Sequence, residues 1–486
     1  MRTARAAAPI AAFAALLAGA LPFVVAVTAW PEIVTPAWFV TRGERLYDAI
    51  LFPHTPLLIL LTAAAGTLFG FTTKVLRAIP ALSLAASGAL VVLGARPHRV
   101  SRAGVLTGFC VGLPLLVLLC VYTEGPALWP EPFLAPFFLA GVLLLERHER
   151  TGGARPLLGA GLVFGLAILV KQTAAWPFAA ALLWLALRSR RGSLRVAAAF
   201  TAAGTLPYAV FALAWALAFR TIAHLRWTLI YPVFSGHAKE IAAPPSSADV
   251  HEALVLALPL AALLLAGRAG RAARLRSPLS LVALATTGMA WPRFGLLHLA
   301  GAAGLVVLAS CRATLFLRAI ARRARALRRR TALVAAALSF CALAIVLGVA
   351  VFGAGPLFVD AVGGPVFFWD DSTTRALAES VRARVPPGGE VLVFGAHQTL
   401  YPLTGTRAPG NFYVNPVFWY YLRRDHADER LVAALAARPG LPVLFHEPLA
   451  DAEAVHATRT YSFLLDDTAP DGPAPGAATW RHVAHR

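Results

Sequence analysis

At 486 residues the chain has the length of about three average soluble domains. Composition excludes that layout: 58% of residues are hydrophobic and 14% charged, with a mean hydropathy of +0.67, where soluble domains carry roughly 45–50% and 25%. The net charge of +20 does not mark a nucleic-acid binder. The 41 Arg against 3 Lys sit mainly in short clusters between apolar runs, as cytoplasmic loops of a polytopic membrane protein do. No basic face interleaved with aromatics, the footprint of a nucleic-acid partner, is present.

Apolar runs approaching ~20 residues are candidate spans. They lie at 7–30, 55–73, 78–95, 103–122, 132–145, 156–170, 174–187, 196–218, 253–267, 278–290, 296–311 and 331–353. If all crossed, Arg2/Arg5 and the Arg96/Arg99/Arg102 and Arg147/Arg150/Arg155 clusters would face opposite sides. Removing 55–73 restores a common side. There Thr55 followed by Pro56 reads as an N-cap with proline at the first helical position, opening a helix that lies in the outer interface or re-enters. The expected architecture is thus an α-helical membrane protein with about 11 transmembrane helices and one outer interfacial helix.

With the N-terminus inside, the cytoplasmic loops hold 24 Arg and no Lys, and of the carboxylates only Glu146 and Glu149. The outer loops carry 8 carboxylates and the C-terminal region 14. Orientation therefore puts the acids outside. The competing reading, a cleavable signal peptide over residues 1–30 with small Ala26 and Ala29 before the cut, is disfavoured by the length of its apolar stretch. It would make a reporter near Arg150 extracytoplasmic.

Four Cys are present: Cys110, Cys120, Cys311 and Cys341. On one helix, Cys110 and Cys120 would stand about 15 Å apart, beyond disulfide reach. No CxxC or Cys/His cluster supports a structural zinc site.

A break in composition divides the chain into a transmembrane domain, 1–353, and an extracytoplasmic domain, 354–486, whose net charge is −3. In the latter, Asp371-Ser372-Thr373-Thr374 opens a helical pattern running to Val385. Val391-Leu392-Val393-Phe394-Gly395 reads as a buried strand, a helix follows near 427–437, and Pro442–Phe445 is a second strand. This is a small α/β domain, with a Pro/Ala/Gly-rich tail after Asp466 read as mobile.

No Asp, Glu, Lys or Arg falls inside any of the eleven spans, which counts against an ion-coupled carrier, since relays need such groups. Polar residues gather at outer helix ends. The first outer loop holds Trp30-Pro31-Glu32, Gly43, Tyr47-Asp48, His54 and Pro56-Leu57. Later come Glu124, Trp129-Pro130-Glu131, the helix end Gly165-Leu166-Ala167-Ile168-Leu169-Val170-Lys171-Gln172-Thr173, and Trp291-Pro292-Arg293-Phe294 with His298.

In order and spacing these elements resemble the GT-C superfamily, membrane glycosyltransferases that use lipid-phosphate-linked sugars, and within it the protein O-mannosyltransferase and aminoarabinose transferase branches. The resemblance covers roughly residues 7–310. It departs at Pro31-Glu32, where many relatives have Asp-Glu. It implies transfer of a sugar from a polyprenyl-phosphate donor to a glycan, lipid or protein acceptor outside the plasma (cell inner) membrane, with inversion.

Such chemistry needs a carboxylate to take the acceptor's hydroxyl proton and cations to meet the leaving phosphate. Glu32 or Asp48 is the expected base, and Lys171, Arg293 and Arg77 the expected phosphate ligands. Glu124, Glu131, His54 and His298 are further candidates. Each has a plain structural alternative: a snorkelling cation, a carboxylate favoured at a helix N-terminus, a packed imidazole. No motif requires a cofactor or metal, and no Asp-x-Asp occurs in the outer loops. Rival readings are a lipid-linked saccharide carrier or flippase, active without Glu32 and Asp48, and a membrane scaffold.

Overall fold

The computed structural model describes residues 2–95, 102–122, 127–188, 193–230, 277–289, 300–312, 315, 366–395, 397–414, 427–446, 458–476 and 478–484. Within these, the expected spans are mainly helical, with residues 25–30 of the first an exception. Among the described residues, three helical stretches are long and apolar enough to cross a membrane: Ala7–Val24, Thr73–Gly94 and Leu194–Phe219. Shorter apolar helices cover Leu57–Phe69, Ala103–Val117, Ala154–Val170, Pro278–Gly288 and Ala300–Arg312. The expected spans 253–267 and 331–353 lie outside the described residues.

The chain forms two compact units. The first comprises Met1–Ala26, Arg77–Ala214 and Ala242–Gly364; the second comprises Val27–Leu76, Trp215–Ile241 and Pro365–Arg486. Val27–Leu76 thus groups with Pro365–Arg486 in the second unit.

In the first unit, small residues let helices approach closely, the usual device where lipid removes the hydrophobic drive between them. A Cβ on Gly88 would come within 2.9 Å of Ala18, and one on Gly161 within 2.9 Å of Ala203. Phe138, Phe164, Phe178 and Phe200 fill the space between these helices, with Phe178 and Phe200 stacked at 4.9 Å. Leu194, Leu206, Val210 and Leu213 point outward, an apolar surface suited to lipid and not to water.

The first helix, Arg2–Val24, stops short of residue 30. Its terminal carbonyls are met by Arg77, whose Nη1 donates to Pro22 O at 2.6 Å and Val25 O at 2.8 Å. At the charge-rich ends, Arg312 forks onto both oxygens of Glu146 at 2.6 and 2.9 Å, and Arg188 pairs with Glu149.

In the second unit, the helix expected over 55–73 spans Leu57–Phe69. Its cap position is Pro56, one residue later than the Thr55-Pro56 pattern indicates. Thirteen residues rise about 20 Å, short of the ~30 Å hydrocarbon core. Leu58, Ile59, Thr62 and Ala63 are buried as this helix packs on the Pro31–Thr41 helix.

The C-terminal elements appear where periodicity and capping put them. Asp371 caps Ser372–Arg384 by accepting the Thr374 N–H at 2.9 Å, and Leu392–Phe394 pairs in parallel with Pro442–Phe445. The segment after Asp466, read as a mobile tail, instead supplies strands Thr468–Pro473 and Thr479–Val483. These complete a four-stranded sheet. Burial drives this: Trp480 and Val483 are almost fully covered, and the Trp480 indole donates to Ser380 Oγ at 2.9 Å.

Two short parallel pairings stitch the outer loop to this region, Val27–Thr28 with Val366–Phe367 and Ile50–Leu51 with Tyr413–Val414.

Candidate active site

Glu32 lies in the first turn of the Pro31–Thr41 helix. Trp30 occupies the cap position and Pro31 the first helical one, where a missing N–H costs nothing. A helix N-terminus favours a carboxylate, but burial dominates here: Glu32 is only 3% exposed. Loss of hydration raises its pKa from 4.5 to about 7, and a hydrogen bond from its own backbone N–H offsets only part of that. Its Oε2 has no hydrogen-bond partner among the described residues.

The carrying helix is fixed from the C-terminal side of the same unit. Thr35 Oγ1 donates to Gln398 O at 3.0 Å. Phe39 packs on Tyr401 and Tyr413 at 5.4 and 5.1 Å, and Trp30 lies 5.6 Å from Phe368.

Asp48, the other expected base, has a different setting. Its side chain is 40% exposed and pairs with Arg45 at 2.8 Å. Arg430 approaches the same carboxylate at 3.9 Å and donates to the Asp48 backbone carbonyl at 3.1 Å. The preceding Tyr47 is buried at φ +70°. That left-handed conformation is uncommon for a bulky residue. It is held by the Tyr47 N–H to Ile50 O at 2.7 Å and by the phenol donating to His54 O at 2.9 Å. Tyr47-Asp48 thus shapes the turn. The His54 ring meets Phe52 edge-on at 5.6 Å.

In the first unit, Lys171 follows the Ala154–Val170 helix in extended backbone conformation. Its ammonium pairs with Glu131, in the first turn of Pro130–Thr151. Both side chains are at least nine-tenths buried, and the Trp129 ring lies 5.9 Å from the ammonium. The pairing follows from a helical hairpin. Pro130–Thr151 ends on Gly152 in the left-handed region at φ +65°, which reverses the chain into the Ala154–Val170 helix. Lys171, just past the end of that return leg, meets the first turn of the outgoing one.

Arg77 has its Nη1 committed to the Pro22 and Val25 carbonyls. Arg293, Glu124 and His298 lie outside the described residues. Reading the sequence alone singled out both Lys171 and Glu131 but not their pairing, and it missed Gln398 and Arg430. Neither of these two sits in a local motif, and their partners, Thr35 and Asp48, are hundreds of residues away. Among the described residues, no group of three or more His, Cys, Asp or Glu is placed to hold a metal ion.

Comparison with known proteins bears on this arrangement. Residues 53–215 match the family of dolichyl-phosphate-mannose-protein mannosyltransferases, a stretch that includes Lys171 and Glu131 and begins after Glu32 and Asp48. No curated protein matches by sequence. Among solved structures, ArnT from Cupriavidus metallidurans bound to undecaprenyl phosphate aligns at a TM-score of 0.58 and 13% identity, over 99% of this chain and 97% of that one. Its apo form aligns at 0.59 and 13%, over 99% and 98%. The Archaeoglobus fulgidus oligosaccharyltransferase, tethered with an acceptor peptide, aligns at 0.52 and 14%, over 90% and 69%. Residues 53–215 thus carry the sequence signature of that mannosyltransferase family, and the chain as a whole shares the fold of these solved membrane proteins.

Proposed function

We propose that this protein transfers a sugar from a polyprenyl-phosphate donor to an acceptor hydroxyl on the extracytoplasmic face, with inversion, and that Glu32 is the general base. The observation that carries this reading is a carboxylate in the first outer loop that is buried, lacks a hydrogen-bond partner at Oε2 among the described residues, and has a pKa of about 7. A structural carboxylate is ordinarily paired when buried. A catalytic one works best with a pKa near the operating pH.

In this mechanism Glu32 takes the acceptor's hydroxyl proton as the oxygen attacks the anomeric carbon. The bond from that carbon to the phosphate oxygen breaks, and polyprenyl phosphate leaves with the electron pair. Lys171 and Arg293 meet the charge of the leaving phosphate. Asp48, held between two guanidinium groups, keeps the loop in shape, and Arg77 anchors the first helix. The fold match to a protein bound to undecaprenyl phosphate supports the donor class. The charge map supports a cytoplasmic N-terminus and an extracytoplasmic C-terminal region in the plasma membrane.

The test is a transfer assay in membranes, offering labelled polyprenyl-phosphate sugars with cell-envelope extract as acceptor. Transfer by the wild type, abolished in Glu32→Gln and retained in Asp48→Asn, is the expected result. If the wild type consumes no donor, or Glu32→Gln transfers normally, the assignment fails, and movement of lipid-linked saccharide without transfer becomes the reading.

A further inference from the structure

The ion pair of Lys171 and Glu131 raises a problem that the transfer reaction alone does not answer. A cation intended for a phosphate is already neutralised, in a buried setting, by a carboxylate of its own unit. A phosphate arriving at Lys171 must therefore compete with Glu131 for the ammonium.

Charge changes during the reaction make that competition useful. The donor is a phosphodiester with a single negative charge. The leaving polyprenyl phosphate is a monoester whose second ionisation lies near pH ~6, so at neutral pH it carries roughly −1.5 to −2. A bare buried lysine would hold this product more tightly than the donor and slow each turnover.

Resting on the transferase reading above, we propose that Glu131 is a positioning residue that exchanges Lys171 with the lipid phosphate. It holds the ammonium in the empty site, yields it while donor charge develops, and reclaims it to expel polyprenyl phosphate. Two features of the site suit the exchange. Glu131 sits in the first turn of its helix, where the backbone N–H groups stabilise the carboxylate while the ammonium is lent away. Lys171 lies just past a helix end in extended backbone, with the Trp129 ring alongside, so its flexible stem can swing without unwinding a helix.

The experiment measures binding of radiolabelled undecaprenyl phosphate to the purified full-length protein in lipid nanodiscs. Glu131→Gln is expected to bind it at least about tenfold more tightly, because a like charge beside the phosphate has been removed. Its steady-state kcat should fall by a similar factor while the single-turnover rate is kept. Lys171→Gln is expected to lose binding. Because Glu131→Gln leaves a buried lysine unpaired and can impair folding, Glu131→Asp is the second variant. It keeps the charge but shortens the reach, and its affinity should fall between those of the wild type and Glu131→Gln. Folded Glu131→Gln or Glu131→Asp that binds undecaprenyl phosphate no more tightly than wild type overturns the exchange and leaves a purely structural ion pair. A wild type that transfers no sugar overturns the transferase reading instead, while the binding comparison still decides the exchange.

Discussion

Thr35 donates its hydroxyl to the backbone carbonyl of Gln398 at 3.0 Å, one helical turn beyond Glu32 and 363 residues further along the chain. Through this bond the C-terminal region fixes the helix that carries the proposed base. Thr35→Val should remove it and leave the buried Gln398 carbonyl one donor short, at a cost of about 1–2 kcal/mol. Differential scanning fluorimetry in detergent should show the lower melting temperature. If the bond also orients Glu32, kcat should fall several-fold with the donor KM unchanged.

Burial of Glu32 sets the pH dependence. In the proposed role of general base it must be deprotonated, so the transfer rate should rise with pH through about 7 and level off above it. Stability moves the opposite way. A carboxyl whose folded pKa lies above its unfolded value of 4.5 favours folding fully below that pH, and the contribution is lost as pH rises through about 7. Glu32→Gln should therefore be more stable than wild type at about pH 8, by up to about 3 kcal/mol, while transferring roughly 100- to 10,000-fold more slowly. Rate and melting profiles recorded over one buffer series check both signs. A melting temperature that falls in Glu32→Gln at that pH contradicts the account.

Asp48 should behave as a structural carboxylate. Its pairs with Arg45 and Arg430 are half in solvent, where ion pairs contribute about 0–1 kcal/mol. Asp48→Asn should melt within a few degrees of wild type and keep most of its transfer activity. Loss of activity comparable to that of Glu32→Gln would return Asp48 to the chemistry.

Glu146 and Arg312 form a buried, two-point ion pair far along the helices from the outer residues in sequence. Glu146→Ala leaves the guanidinium without its anion and should cost about 3–5 kcal/mol. Replacing both with apolar residues of similar size should recover much of the loss. Activity per folded molecule is expected to stay at the wild-type level in the double variant, as measured by transfer normalised to the monodisperse fraction on size exclusion.

The hairpin that joins Glu131 to Lys171 shows how far sequence reading reaches. Trp129-Pro130-Glu131 marks a helix start, Gly152-Gly153 a reversal, and Lys171 the end of the return helix, so each residue was recognisable from local chemistry. Their ion pair depended on how the two legs pack against each other, which side-chain patterns do not report. The tail after Asp466 failed for a related reason. Its Pro, Ala and Gly content reads as unstructured, but Thr479–Val483 pairs with Pro442–Phe445 on one side and Thr468–Pro473 on the other.

By itself, the sequence determined the membrane class, the separate composition of the C-terminal region and the family resemblance. These follow from summed hydropathy, the placement of Arg clusters and residue spacing, all of which are local properties. Only the tertiary structure distinguishes the settings of Glu32 and Asp48. Both are carboxylates in one loop, and what separates them is that one is buried with a raised pKa while the other is exposed between two arginines. Gln398, Tyr401 and Tyr413 hold the helix that carries Glu32, and Arg430 pairs with Asp48, so residues from the far end of the chain bear on both settings.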